Sequence, residues 1–157
     1  MLVRRAGRRD LESIHKLWLA LRDEGAKADP RLALAPGAER LAEEHREVIL
    51  ADPRTGLFVA EERGDIVAFL LAQIEANDAT HRVERYGLIV DIYVEPDWRG
   101  GGIAKQLVEY CRDWFQGQNV PEFRISVPDA SPGAGRFAAS LGGEILSQLH
   151  VIRLAED

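Results

Sequence analysis

The stretch of residues 87–114, GLIVDIYVEPDWRGGGIAKQLVEYCRDW, most constrains how this chain can fold. Residues 88–94 are apolar on both faces, which predicts a central β-strand. Pro96 ends that strand, because proline cannot donate to a ladder. Three consecutive glycines follow, and from Ile103 the apolar residues recur at helical spacing. The stretch therefore predicts a strand, a tight glycine loop and an amphipathic helix joined without a gap.

This glycine loop is expected to bind an anion, although three glycines could also be no more than a flexible connection. The first amides of a helix lack intrahelical acceptors, and the helix dipole places about half a positive charge at that end. Phosphate or pyrophosphate is the natural occupant, and Arg99 and Lys105 add cations nearby. A P-loop is excluded because no Gly-Lys-Ser/Thr follows. The dinucleotide fingerprint is excluded because Ala104 and Lys105 follow Ile103.

The loop also carries a family signature. Residues 99–104, Arg-Gly-Gly-Gly-Ile-Ala, match the Arg/Gln-x-x-Gly-x-Gly/Ala signature of the GNAT superfamily of N-acetyltransferases. The chain resembles that family over nearly its whole length, which implies that acetyl-CoA is the cosubstrate, with no metal, and that its pyrophosphate lies on this loop. The residues that the resemblance assigns to the coenzyme are Ile92, Tyr93, Val94, Arg99, Gly100, Gly101, Gly102, Ile103, Ala104, Lys105 and Ser131.

The order of predicted elements fits the same family: a strand, two helices, three strands, a helix, a strand, a helix and a strand. The predicted strands are residues 2–5, 57–62, 66–75, 83–94 and 123–127, and the predicted helices are residues 10–25, 38–50, one from 103, and 131–141. Residues 144–155 are expected to form one more strand or a short hairpin. The resemblance implies an α+β fold with a mixed, mostly antiparallel sheet of six to seven strands. The fourth and fifth strands would be parallel and splayed, about four helices would flank the sheet, and residues 1–157 would form a single domain.

The family's second motif, Asn-x-x-Ala-x-x-Phe/Leu-Tyr-x-x-x-Gly, aligns with residues 131–142 but departs from it at two positions. Ser131 stands where asparagine is common, and its hydroxyl could contact the pantetheine arm. Ala138 stands where many members carry the tyrosine that protonates the departing thiolate, so the acid is open between Ser131, Tyr93 and water. The agreeing positions are Ala134, Phe137, Leu141 and Gly142.

The predicted catalytic residues are Asp91, Tyr93 and Ser131. Alternation along the strand predicts that Ile89, Asp91 and Tyr93 share one face, close to where the thioester should lie. Polyamine acetyltransferases resemble this segment at residues 91–94, which makes Asp91 the best single candidate for the base. It would act through a water or attract the ammonium, because an aspartate is a poor base for a group with a pKa of about 10. The alternative is a strand carboxylate paired with an arginine.

Composition limits the setting and the partners. The net charge of −6 argues against a general nucleic-acid binder and suits a cationic amine. The apolar runs are too short for a membrane span, and the first residues lack the apolar region of a signal peptide. The single cysteine, Cys111, lies on the apolar stripe of its helix and is expected to be a reduced core residue, which favours the cytoplasm.

Together these observations predict a transferase that moves an acetyl group directly from acetyl-CoA to a primary amine of a small molecule or peptide, without a covalent enzyme intermediate. One alternative, motivated by Ala138, is a coenzyme A binding regulatory or interaction module. Another is a nucleotide-binding domain unrelated to acyl transfer. A monomer is expected, or a homodimer that exchanges the C-terminal strand. The resemblance implies that this part of the chain helps to form the acceptor site. The candidates there, by position only, are Trp18, Arg22, Glu24, Asp29 and Arg31, and the alternative for each is a solvated charged surface.

Overall fold

The computed structural model describes residues 1–154, and in that range it has five β-strands and four α-helices. The strands are β1 (Leu2–Arg5), β2 (Thr55–Glu62), β3 (Asp65–Ala76), β4 (Arg85–Val94) and β5 (Phe123–Ile125). The helices are α1 (Leu11–Ala28), α2 (Ala38–Ala51), α3 (Ile103–Gly117) and α4 (Pro132–Ser140). The chain divides into two compact units, Met1–Ser126 and the residues from Val127 onward. The single-domain interpretation stays a prediction.

The strands of the first unit form one sheet in the order β1-β2-β3-β4-β5. Neighbours are antiparallel except β4 and β5, which are parallel and joined through α3, as predicted. The β2–β3 hairpin turns through Arg63 and Gly64, whose φ angles are 53° and 92°. Two consecutive positive φ angles match the twist of the flanking strands, which explains the short loop.

Helices α1 and α3 cover opposite faces of this sheet. Leu11, Ile14 and Leu17 of α1 pack against a buried cluster that includes Val59 of β2. The neighbouring Phe58 points to the other face, where its ring contacts that of Trp114 on α3 at 5.8 Å between centroids. A strand buried by both helices explains why the central segments are apolar on both faces.

Two predictions about the helices are wrong. Gly25 does not end α1, which continues to Ala28, because a glycine costs a helix only about 1 kcal/mol and packing outweighs that cost. Helical spacing puts Leu41, His45, Val48 and Ile49 on one apolar side of α2, but Leu41 and Val48 are 56% and 64% exposed, and only Ile49 of the four is half-buried. The small Ala42 lies on the half-buried side instead.

The C-terminal segment departs most from the sequence prediction. The six- to seven-strand sheet is wrong for the described chain, where the sheet has five strands, and residues 144–154 form neither a strand nor a hairpin. Large apolar side chains there are solvent-exposed, with Ile145 at 82% and Leu149 at 100%. Apolar and polar residues alternate poorly at residues 147–149. The segment therefore has no continuous apolar face that would set the register of a strand. Position 155 of the predicted strand lies outside the described residues.

No helix in residues 1–154 is both long and apolar enough to cross a membrane.

Packing between β4 and α3 generates a stability test at Gly87. A Cβ on Gly87 would lie 2.4 Å from carbons of the Phe115 ring. We expect Gly87→Ala to lower the free energy of unfolding by about 1–3 kcal/mol through overpacking, measured by urea denaturation. Gly117→Ala is the matched control, because a Cβ there meets nothing within 4 Å. Equal stability of Gly87→Ala and the wild type would contradict the close packing of Gly87 against the Phe115 ring.

Candidate active site

A β-bulge interrupts β4 at the centre of the site. Asp91 pairs with Leu71 and Ile89 pairs with Ala72, so Val90 has no partner on β3. One extra residue in a strand reverses the alternation of side chains beyond it. The side chains of β4 therefore change faces at Val90.

This reversal places the candidate catalytic side chains against α1. A Cβ on Gly87 would meet the Phe115 ring, so alternation places Ile89 on the α3 face. Beyond the bulge, Asp91 and Tyr93 bond to side chains of α1. The prediction that Ile89 shares a face with Asp91 and Tyr93 is wrong, since it assumed an unbroken strand.

Pairing between β4 and β5 is short. The ladder ends at Ile89 and Ile125, where β5 itself ends, while β4 continues to Val94. The last five residues of β4 therefore have no ladder partner on that side among the described residues. The parallel pairing is as predicted, and the splay of the two strands stays a prediction.

Along the last residues of β4, backbone N–H and C=O groups face β3 and the unpaired side in alternation. Glu95 N–H donates to Val67 O at 2.9 Å, so the backbone groups of Tyr93, two residues earlier, also face β3. Those of Ile92 and Val94 then face the open side. Two of the three residues predicted to hold the pantetheine arm present their backbone to that space, and Tyr93 does not.

The glycine loop presents a row of unused donors. The amides of residues 100–105 donate to no acceptor in the described chain, whereas Gln106 N–H donates to Gly102 O at 3.0 Å. Gly100 and Gly102 have φ angles of 83° and 82°, a conformation open to glycine, and a Cβ at either position would meet nothing within 4 Å. Unpaired amides at the start of the 15-residue helix α3 fit a pyrophosphate group.

Arg99 holds the start of this loop to α1. Its Nε donates to Val94 O at 2.9 Å, and its Nη2 donates to both carboxylate oxygens of Glu24 at 2.9 and 3.1 Å. The guanidinium also lies over the Tyr93 ring, 5.3 Å from its centroid. The Nη1 group has no acceptor among the described residues, so an anion on the loop could still be reached. Lys105 is exposed.

Asp91 is buried and paired with an arginine. It is 7% exposed, and Arg22 Nη2 donates to its Oδ1 at 2.6 Å. Burial raises the pKa of the Asp91 carboxyl, while Arg22 and Trp18 act to lower it. The Arg22 guanidinium lies 5.2 Å from the Trp18 ring centroid. This arrangement matches the alternative role given above, a strand carboxylate paired with arginine.

Tyr93 bonds to a second carboxylate of α1. Its hydroxyl donates to Glu24 Oε1 at 3.1 Å, and the residue is 6% exposed. Burial raises the pKa of the Tyr93 phenol, and the adjacent Glu24 carboxylate raises it further. Sequence reasoning named Glu24 by position only, because the partner that makes it part of the site lies 69 residues away.

The remaining candidate residues belong to other segments of the chain. Ser131 belongs to the second unit, where it precedes α4, and its hydroxyl does not cap that helix. Asp29 and Arg31 pair with each other at 2.6 Å after the end of α1. Cys111 is fully buried, and burial raises the pKa of its thiol to about 12, so it carries no thiolate at neutral pH.

The Asp91–Arg22 pair generates a pH-dependent prediction. A raised pKa means that folding favours protonated Asp91, so its contribution to stability is present below its ordinary pKa and is lost as the pH rises through the raised value. Arg22→Met removes a group that lowers this pKa. We expect the variant to lose about 2 kcal/mol of unfolding free energy at a pH of about 7.5 and less at about 5, measured by urea denaturation. Lys16→Met, which removes an exposed cation of α1, is the control. A loss that is equal at both pH values would contradict charge pairing with Asp91.

The fold matches several solved structures at low sequence identity. A mutant of the BH1408 protein from Bacillus halodurans is 21% identical, with a TM-score of 0.88 over 99% of this chain and 100% of that chain. The aminoglycoside N-acetyltransferase AAC(6')-Iy in complex with CoA is 19% identical, with a TM-score of 0.78 over 98% and 93%. Ribosomal-protein-alanine N-acetyltransferase from Brucella melitensis biovar Abortus 2308 is 22% identical, with a TM-score of 0.70 over 98% and 100%. No curated protein matches the chain.

The family assignment comes from the sequence match. The model of the Acetyltransferase (GNAT) family matches residues 13–142, which include the bulged strand, the glycine loop and the second motif. That span is most of the 157 residues, and the structural neighbours share the fold. The chain therefore belongs to the GNAT family of acetyltransferases, the enzymes that use acetyl-CoA as cosubstrate.

Proposed function

We propose that this enzyme transfers the acetyl group of acetyl-CoA directly to a primary amine of a small molecule or peptide. The row of unpaired amides at residues 100–105 is the observation that carries the proposal. These donors lie at the positive end of α3, directly after the open end of β4, so one extended ligand could use both. When bound, the coenzyme supplies an activated acetyl group.

Residues of the first unit are proposed either to bind the coenzyme or to position other side chains. The amides of residues 100–105 hold the pyrophosphate, and Lys105 adds a positive charge. The outward backbone groups of Ile92 and Val94 hold the pantetheine arm, and an amide of this segment polarises the carbonyl. We also propose a contact between the Ser131 hydroxyl and the arm. We assign Asp91 to hold Arg22 in place, because its buried carboxylate is already paired.

Direct transfer without a covalent enzyme intermediate is supported by the state of the cysteine. A thiol nucleophile needs to be ionised and accessible. Cys111 is neither, since it is fully buried and its pKa is raised to about 12.

An amine acceptor is supported by charge and by the named relatives. The chain carries a net charge of −6, which attracts cationic amines. Two structural neighbours are named as acetyltransferases of an aminoglycoside and of an alanine of a ribosomal protein, one a small-molecule acceptor and one a peptide acceptor. Location in the cytoplasm and assembly as a monomer or homodimer stay predictions, the latter tested by sedimentation.

A coenzyme A binding module is the second candidate, favoured by one observation. Ala138 occupies the position where many relatives have the acid tyrosine, and the structure gives α4 no phenol in its place. A protein of this kind would bind coenzyme A through the same loop and release no thiol.

The enzyme proposal predicts release of free thiol from acetyl-CoA with a panel of amines. The panel should include alkylamines, aminoglycosides and peptides with a free N-terminus, with a thiol reagent as the readout. We expect release that depends on both amine and protein. Tight binding of coenzyme A without release by any amine would favour the module.

The loop proposal predicts that a negative charge at Gly101 weakens coenzyme binding. Gly101 lacks the positive φ of its two neighbours, and a Cβ there would be 3.9 Å from Trp98 O, an ordinary contact. Gly101→Asp should weaken coenzyme A binding at least about tenfold in calorimetry, because the carboxylate opposes the phosphates at a helix N-terminus. Gly101→Ala, which adds the Cβ alone, should bind normally. If both variants bind like the wild type, the loop does not hold the pyrophosphate.

A further inference from the structure

Glu24 lies where α1, the open end of β4 and the start of the glycine loop meet. Its carboxylate accepts from the Tyr93 hydroxyl at 3.1 Å and from Arg99 at 2.9 and 3.1 Å. Tyr93 is between the two residues whose backbone faces the open side of β4. Arg99 directly precedes the three glycines of the loop. A group bound to Glu24 would therefore be next to the segment that is proposed to hold the thioester.

This carboxylate differs from Asp91 in being accessible. The Glu24 side chain is 43% exposed, whereas the Asp91 side chain is 6% exposed and bonded to Arg22 at 2.6 Å. An ionised carboxylate can accept about four hydrogen bonds. Glu24 uses two on Oε1 and one on Oε2 within the described chain. Its Oε2 therefore has room for a further donor from solvent or a ligand.

The two partners fix the orientation of this carboxylate. Tyr93 is 6% exposed and Arg99 is anchored through its Nε to Val94 O, so neither donor is on a loosely held side chain. A carboxylate held by a phenol and a guanidinium loses less side-chain entropy when it binds a ligand than a mobile one would. The Nη1 group of Arg99 is not used within residues 1–154, so Arg99 can keep Glu24 in place while the loop binds an anion.

We propose that Glu24 binds the ammonium group of the acceptor, with Tyr93 and Arg99 as positioning residues. This inference rests on the proposed function and names the group that recognises the substrate. The ammonium N–H donates to Oε2, and this charged hydrogen bond selects a primary amine that is protonated in solution. One N–H bond then breaks, its electrons remain on nitrogen as the attacking lone pair, and the proton passes to solvent at the exposed edge of Glu24. The lone pair forms the C–N bond to the acetyl carbon while the C–S bond breaks with its electrons on sulfur. A second proton passes from the nitrogen to that sulfur, which leaves as the free thiol.

Activity with two amines of different charge tests the inference. At a pH slightly above neutral, butylamine is a cation, whereas 2,2,2-trifluoroethylamine is largely uncharged. Glu24→Gln keeps the shape of the side chain and removes its charge. We expect kcat/KM for butylamine to fall about 10- to 100-fold, with a much smaller change for trifluoroethylamine. Asp23→Asn is the matched control, because it neutralises the adjacent exposed carboxylate of α1, which pairs with Lys27.

A second readout does not depend on turnover. In protein saturated with coenzyme A, butylammonium should shift the carbon-13 resonance of the Glu24 carboxylate, while the Asp23 resonance stays unchanged. Glu24→Gln should also lower the pKa of Tyr93, followed on the labelled phenol carbon, because the Glu24 carboxylate raises that pKa. The other charged groups acting on Tyr93 are Arg99 and Glu95, and both are retained in the variant.

The outcomes separate this inference from the proposed function. Thiol release by the wild type that is unchanged in Glu24→Gln would overturn the role of Glu24 and leave the acetyltransferase proposal intact. Equal losses for the charged and the neutral amine would also overturn it, because they would indicate a structural role. Absence of thiol release by the wild type with every amine would contradict the proposed function. The butylammonium titration would then still decide whether Glu24 binds a cation, and no shift of its resonance would overturn the inference.

Discussion

The geometry of the candidate site depends on Val90, a residue of β4 that has no pairing partner on β3. Because Val90 is not matched on β3, the side chains beyond it turn toward α1, while those before it pack against α3. The ladder with β5 ends at Ile89, next to the bulge, so the backbone opens where the side chains change faces. A bulge bends and twists its strand, and here that local irregularity coincides with the opening that the proposed ligand would enter.

Polar groups of β4 are then matched to polar groups of α1. Asp91 meets Arg22 and Tyr93 meets Glu24, two residues further along both elements. The two pairs differ in exposure. In the first pair the Asp91 side chain is 6% exposed and Arg22 is 36% exposed, and a buried carboxylate without its partner would be costly. The second is open on one side, and an exposed pair of this kind adds little to stability. That contrast supports a structural role for Asp91 and a ligand-binding role for Glu24.

Arg99 connects the two halves of the proposed reaction site. It begins the glycine loop, bonds to the end of β4 through Val94 O and bonds to α1 through Glu24. From the sequence, this arginine was expected to add a positive charge near the phosphates. In the structure most of its donors bond to protein groups, and the amides of residues 100–105 are the unused donors for an anion. The proposed coenzyme loop and the proposed ammonium site therefore share the Arg99 side chain.

Elements whose signals are local could be predicted from the residues alone. Strand, glycine loop and helix were predicted within residues 87–114 because proline, glycine and apolar spacing act over a few neighbouring residues, and the loop signature identified the family. The bulge could not be predicted, since it is a property of pairing between two strands. For the same reason Glu24 gained its role only in the tertiary structure, where residues 69 positions apart meet. The C-terminal segment shows the converse. The family's order of elements suggested a further strand at residues 144–155, but a strand also needs a partner edge, and the described residues 144–154 pair with none.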